Sequence, residues 1–220
     1  MALALSGRFQ NVLGVDVSHQ ALENGAISLL ENVNQELTKN KDLNINTTIP
    51  IAFRHSDGFA DINTGEADAV CIAGMGVNTM LKIIKAKSDD GTTSHIDRIA
   101  CQQLILQATN SRPRNLMLLY DHLQTSGWSL AEERIERIAS RWYISASFQR
   151  NGNAKEGVDK VLLPTSKLSE MDTTNAMFQT FQDYVDHHCN WIQKDEEARK
   201  DINRADSQWL ATFKKYSTRK

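Results

Sequence analysis

No stretch of the 220 residues holds an apolar run of about 18, the length a helix needs to cross a bilayer, so a membrane-spanning helix is not expected. The opening Met-Ala-Leu-Ala-Leu-Ser-Gly-Arg is apolar for only a few residues and has no basic lead, which makes a poor secretory signal. Cysteine is scarce. Cys71, Cys101 and Cys189 are odd in number, widely spaced and without a C-x-x-C, so free thiols in a reducing compartment are expected rather than a disulfide framework. A cytoplasmic location follows, or an organellar one if an upstream targeting segment has been lost. Charge of either sign is nearly balanced, at a formal net of -2, so no global field draws the chain to nucleic acid. Any contact with RNA must come from local patches.

What is present, at 40% hydrophobic content, can bury one substantial core with room for a small appendage. The organising stretch runs from Asp68 through Ala-Val-Cys-Ile-Ala to Gly74-Met75-Gly76. The apolar run from Ala69 to Ala73 suits a strand of a parallel α/β sheet, covered on both faces. Gly74 and Gly76 then leave the backbone bare at the strand's carboxyl end, where open α/β sheets hold ligands. A plain strand-to-helix turn would ask for glycine too.

Other elements follow the same alternation. Asn11–Val17 reads as a buried strand ending in Asp16, with Ser18 as N-cap of a helix whose apolar positions include Leu22, Ala26, Leu29, Leu30 and Val33. Ile51–His55 is a second strand, leading into Ser56-Asp57-Gly58. A helix is expected over Val77–Lys87, a surface loop from Ser88 to His95, and a strand over Ile99–Leu106 that ends at Gln107-Ala-Thr-Asn110. Pro113 opens a further helix that Gly127 closes. From Trp128 to Arg150 two strand patterns follow without a helix between them, which predicts an antiparallel pair at a sheet edge. Residues 151–171 read as a loop. Beyond Asp172, the steps Phe178, Phe181, Val185, His188 and Ile192, then Ala198 to Tyr216, fit two antiparallel helices or one long one.

Strand ends at Asp16, Asp57-Gly58 and Ala73–Gly76 would bring two acids and bare backbone to one edge. That arrangement suits an adenosine ligand, because a carboxylate at one strand's end can accept both ribose hydroxyls and an acid one strand further out can accept from an exocyclic amine. An acid at a strand end more commonly caps a helix or a turn, and it is the series that argues for a ligand.

With these residues in view, Val12–Ser18, Ser56–Gly58, Asp68–Gly76, Leu104–Gln107 and Gly127-Trp128 together resemble the bacterial tRNA (adenine(22)-N1)-methyltransferase family, often called TrmK. Ile72-Ala-Gly-Met-Gly76 is the most specific element. The resemblance covers about residues 1–165, and it implies a Rossmann-like α/β sheet using S-adenosyl-L-methionine (SAM), with tRNA as the partner. Residues 166–220 fit the family's two-helix C-terminal extension by pattern. On the same resemblance, Asp16 and Val17 would serve the ribose, Asp57 and Gly58 the adenine, and Ala73, Gly74 and Gly76 the floor beneath the methyl donor. Gly74, Met75, Gln107 and Asn110 would form the site of transfer, Gln107 and Asn110 bonding the edge of the target base. Adenine N1 lies on the pairing edge, so the base must be unpaired or extruded; its neutral lone pair needs no general base. The family's first strand and glycine-rich SAM loop would precede Met1, so the sheet reads as N-terminally truncated. Its Gln-Pro-Asn stands here as Gln107-Ala-Thr-Asn110, and a second glycine after Gly76 is Val77.

Three other features admit function. His187-His188-Cys189 invites a metal, but adjacent helical positions diverge and no second ligand cluster exists, so none is expected. Lys214, Lys215, Arg219 and Lys220 near Trp209, Phe213 and Tyr216, and the set Arg112, Arg114, Arg134, Arg137, Arg141 and Arg150, could grip phosphates, although charged edge strands also block aggregation. Two competing functions stand beside methyl transfer: a tRNA-binding form without catalysis, and a nicotinamide-dependent oxidoreductase. The latter lacks G-x-G-x-x-G and has a Tyr-x-x-x-Lys only at Tyr216–Lys220.

Overall fold

A computed structural model describes residues 8–39, 49–88, 91–109, 112–150 and 176–199, with Ala4 and Ser6. The expectations for residues 151–171 and for the helix beyond Arg199 lie outside the described residues. The chain forms two compact units, Met1–Glu66 with Lys85–Ile99, and Ala67–Ile84 with Ala100–Lys220.

In the first unit, β1 (Val12–Asp16) pairs in parallel with β2 (Ile51–His55), so that Val12 stands opposite Ile51 and Asp16 opposite His55. Gly14 is required there. A Cβ at that position would meet the ring of Phe53 on the neighbouring strand at 2.7 Å. Helix α1 starts as an α turn at His19–Ala21, passes through a π-helical stretch, Leu22–Ile27, and continues as α-helix over Ser28–Lys39. Ser28 N–H reaches back to Glu23 O in the π stretch, which rotates the apolar stripe. Leu22 is consequently buried while Leu29 is 50% exposed, a departure from the even core face that its spacing predicts.

The second unit holds a four-stranded sheet in the order β3 (Ala69–Met75), β4 (Gln103–Ala108), β6 (Arg141–Arg150), β5 (Trp128–Ile138). β3 and β4 are parallel and the last two pairings antiparallel, so β5 forms an edge as its pattern predicts. β3 differs from expectation. Val70 and Ile72 are buried but Ala69, Cys71 and Ala73 are exposed, so one face only is covered, and the residues open on the other are small as far as Ala73. Helix α2 is Val77–Lys85, with Met80 and Ile84 buried.

The strand expected from Ile99 begins at Gln103 instead. A short helix, α3 (His95–Ile99), claims Ile99, because Ser94 caps it: Asp97 N–H donates to Ser94 Oγ and Ser94 Oγ–H to the Asp97 carboxylate. Helix α4 runs over Pro113–Thr125, opened by its proline and followed by Gly127 at φ +83°.

The long helix α5, Ala176–Arg199, buries Phe178, Phe181, Val185, His188 and Ile192 as the spacing predicts, and Tyr184 and Cys189 besides. Its Tyr184 meets Trp142 of β6 edge-on, with ring centroids 5.6 Å apart.

One polar pair lies inside this unit. Tyr120 on α4 donates to Glu133 Oε1 on β5 at 2.6 Å, while Glu133 Oε2 is enclosed without a partner. Burial lifts the Glu133 carboxyl from 4.5 to about 8, against the opposing hydrogen bond from Tyr120. Burial pushes His188 down from 6.5 to about 4, helped by the charges of His187 and Arg112. The fold therefore favours a neutral Glu133, whose contribution to stability is complete below pH 4.5 and lost as pH rises through about 8. It favours a neutral His188 as well, whose contribution is complete above pH 6.5 and lost as pH falls through about 4. Above pH 6.5 only the first of these slopes remains. Glu133→Gln, which still accepts from Tyr120, is expected to flatten the fall in melting temperature between pH 6.5 and 8 in calorimetric scans. An undiminished fall in the variant would contradict this.

Candidate functional site

Parallel pairing fixes where chemistry can gather in the first unit. β1 and β2 run side by side and finish at the same edge, so Asp16-Val17 and Asp57-Gly58 lie at adjacent strand ends. Asp16 Oδ1 accepts from Ser18 N–H at 2.8 Å, its backbone carbonyl accepts from Ser56 N–H at 3.0 Å, and Ser18 Oγ caps the helix through Ala21 N–H at 3.1 Å. One oxygen of Asp16 thus shapes its own turn. Val17 is 61% exposed, and Asp57 is exposed as well.

The Asp57-Gly58 turn is braced from beneath. Gly58 adopts φ +57°, and the buried Ser56 hydroxyl donates to Gly58 O and accepts from Asp61 N–H. Two guanidiniums then take every carbonyl of the following turn. Arg98 of α3 donates to Phe59 O at 2.9 Å, Ala60 O at 3.0 Å and Ile62 O at 2.5 Å, and Arg54 donates to Asp61 O at 2.8 Å. Arg54 also grips Glu66 in a bidentate pair, at 2.7 Å and 2.5 Å. That pair, with a hydrogen bond from Asn63, holds the Glu66 carboxyl at about 2.

In the second unit the glycine step is a bulge that relies on glycine's freedom. Gly74 has φ +74°, where side chains are disfavoured, and the β3–β4 register shifts between Ala73 and Met75. Its N–H, drawn out of the ladder, is caught by Gln107 Oε1 of the adjacent strand at 3.0 Å. The Gln107 Nε2 group donates to Ala108 O, and Met75 O accepts from Thr109 N–H at 2.9 Å. The structure therefore brings Gln107 and Gly74 together, as strut and turn. Gly76 O accepts from Met80 N–H at 3.0 Å, starting α2, and a Cβ at Gly74 or Gly76 would meet nothing within 4 Å. Met75 is 38% exposed. Asn110 lies outside the described residues.

Of the arginine set, Arg112 lies over Trp191 at 4.8 Å, Arg137 over Trp142 at 5.2 Å and Arg150 over Trp128 at 4.6 Å, while Arg134 pairs with Glu132 at 2.8 Å. Among the described residues no group of three or more His, Cys, Asp or Glu is gathered as a metal would require. Sequence reasoning passes over Arg54, Arg98, Glu66, His19 and His55. A lone arginine in a short helix carries no periodicity or motif, and its role appears only when the carbonyls it collects are seen.

Parallel strands ending in acids, and a parallel pair ending in a glycine bulge, define a Rossmann-like α/β protein. A family model described as a methyltransferase domain matches residues 1–144, so the chain belongs to the methyltransferase domain family. Among solved structures it is similar to a protein of the NADB-Rossmann superfamily from Streptococcus agalactiae, with a TM-score of 0.58 and 19% identity, covering 98% of this chain and 83% of that one. It is also similar to the B. subtilis M1A22 tRNA methyltransferase TrmK, with a TM-score of 0.53, 20% identity and coverage of 98% and 93%. M. capricolum TrmK in complex with S-adenosyl-homocysteine (SAH) gives 0.51, 16%, 99% and 96%. These identities show the fold. No curated protein matches the chain.

Replacing Arg98 by Met removes its donations to the carbonyls of Phe59, Ala60 and Ile62. Exchange of the Ala60 and Ile62 amides, which are bonded to Asp57 O and Phe59 O, should accelerate about tenfold or more with β3 unchanged. Unaltered exchange at those amides would show that the turn holds without it.

Proposed function

We propose that the chain is a SAM-dependent methyltransferase whose acceptor is N1 of an adenine in tRNA. The observation that carries the reading is the parallel finish of β1 and β2 on Asp16 and the Asp57-Gly58 turn, the placement that a ribose and an exocyclic amine require. Membership of the methyltransferase domain family supplies the reaction type. The likeness to M1A22 tRNA methyltransferases favours the acceptor, and the exposed Arg112–Trp191 pair, with the exposed Arg137 over the half-buried Trp142, offers cation and ring surfaces of the kind RNA uses. We take residues 1–165 as the transferase part and 166–220 as its extension.

The residues fit the cofactor's chemistry. Asp16 keeps a carboxylate oxygen beyond the one engaged by Ser18, and Asp57 is exposed. Gly74 and Gly76 leave open space where a Cβ would stand. When bound, SAM supplies an electrophilic methyl on a sulfonium. Asp16 with Val17 would hold its ribose and Asp57 with Gly58 its adenine, while Ala73, Gly74 and Gly76 would offer backbone without bulk to the methyl donor. Gln107 keeps the Gly74 turn in its left-handed form, and Met75 and Asn110 complete the candidates for the site of transfer. Because the acceptor nitrogen carries a lone pair and no proton, the protein's part is orientation, exclusion of water and charge complementarity.

The test is SAM titration by calorimetry together with mass analysis of a tRNA transcript for N1-methyladenosine. Binding and methylation are expected, and Asp57→Ala should raise the Kd about tenfold or more, the loss of a charge-assisted hydrogen bond. Gly76→Leu should keep the melting temperature within about 2 °C, because open space surrounds that position, yet abolish transfer. Capture of tRNA with no uptake of SAM would instead mark a binding protein without catalysis.

A further inference from the structure

A pair of histidines joins the two acid-bearing turns of the first unit. His19, the first residue of α1, and His55, the last of β2, lie face to face, with ring centroids 3.7 Å apart and planes 6° from parallel. His55 Nε2 is 2.9 Å from Val17 O. A carbonyl only accepts, so His55 must carry its proton on Nε2 and donate it there. The backbone of His55 leads directly into Ser56-Asp57-Gly58, and the Ser56 N–H donates to Asp16 O. The same residue therefore begins one acid-bearing turn and clasps the other.

Val17 is well exposed, so packing contributes little to fixing this turn. Polar ties must do so. Among the described residues they include the Asp16–Ser18 bond, the Ser18 cap, the Ser56 N–H to Asp16 O bond and the clasp from His55 to the Val17 carbonyl, and of these only the last ties the segment just beyond Asp16 to β2 by a side chain. Stacking on His19 keeps the His55 ring in the plane from which Nε2 reaches that carbonyl, and it makes the first residue of α1 part of the clasp.

We propose that His55, oriented by its stack on His19, is the positioning residue that holds the Asp16-Val17 turn in register with the Asp57-Gly58 turn for an adenosine-bearing ligand. This rests on the function proposed above. His55 touches no reacting atom in this role; it acts through the Val17 carbonyl.

The test uses the full chain, its variants His55→Phe, His55→Gln and His19→Ala, and SAH as probe. His55→Phe keeps a ring for the stack but no donor, whereas His55→Gln restores a donor near the place of Nε2. Calorimetric titration should show SAH binding weakened about tenfold by His55→Phe, largely restored by His55→Gln, and weakened to an intermediate degree by His19→Ala. In nitrogen-15 spectra of the free chain, His55 should be the Nε2–H tautomer, and the amides of Val17 and Ser18 should shift in His55→Phe. Equal affinity in His55→Phe and the unaltered chain, or equal loss in His55→Phe and His55→Gln, would overturn the proposal. So would an Nδ1–H tautomer. If the unaltered chain takes up no SAH, the functional reading fails and the positioning role with it, while the nitrogen spectrum decides separately whether the clasp exists.

Discussion

Parallel pairing constrains everything else in this chain. When β1 and β2 run in the same direction with Asp16 opposite His55, whatever follows either strand emerges at a common edge. The two turns that follow differ in length and composition, yet the register leaves them neighbours. Acids, exposed backbone and a helix start are gathered without any long-range loop. Such turns hold only a few core residues, Phe59 and Ile62 in the second of them, and the chain adds polar ties to that packing. Arg98 and Arg54 collect the carbonyls from Phe59 to Ile62, and Ser56 holds Gly58 and Asp61 through one hydroxyl.

The second unit solves the same problem by a different device. β3 must end with its backbone open, which requires a left-handed residue and leaves an N–H outside the ladder. Gln107, next in register on β4, takes that N–H. The bulge is tolerated because its neighbour satisfies the group that the bulge orphans. Deeper in the same unit, Glu133 shows the opposite economy. It is an acid kept neutral between a tyrosine and the enclosing helices, where a carboxylate would be costly.

Much of this is legible in the sequence where local chemistry and periodicity agree. Ile51–His55 alternates and stops at a turn-forming Ser-Asp-Gly, Pro113 and Gly127 bracket a helix, and the steps from Phe178 to Ile192 mark a buried stripe. The strand tips bearing Asp16, Asp57 and Gly74 are readable for the same reason. Legibility fails where a capping pair outweighs an apolar run, as Ser94 and Asp97 do in starting a helix before Ile99. It fails at the π-helical stretch of α1, which turns Leu29 outward although its spacing points inward. It fails for Gln107, whose polarity is plain but whose partner is a backbone N–H visible only once β3 and β4 are in register. Arg98 and the His19–His55 stack are long-range contacts with no local signature at all.

The central claim, proposed above, is that the ends of β1 and β2 receive an adenosine-bearing methyl donor. The most direct measurement is amide chemical-shift mapping of the isotope-labelled chain as SAH is added. Saturable shifts centred on Asp16–Ser18 and Ser56–Gly58 are the expected result. Saturable binding that leaves those amides in place, or no binding at millimolar SAH, would contradict the account.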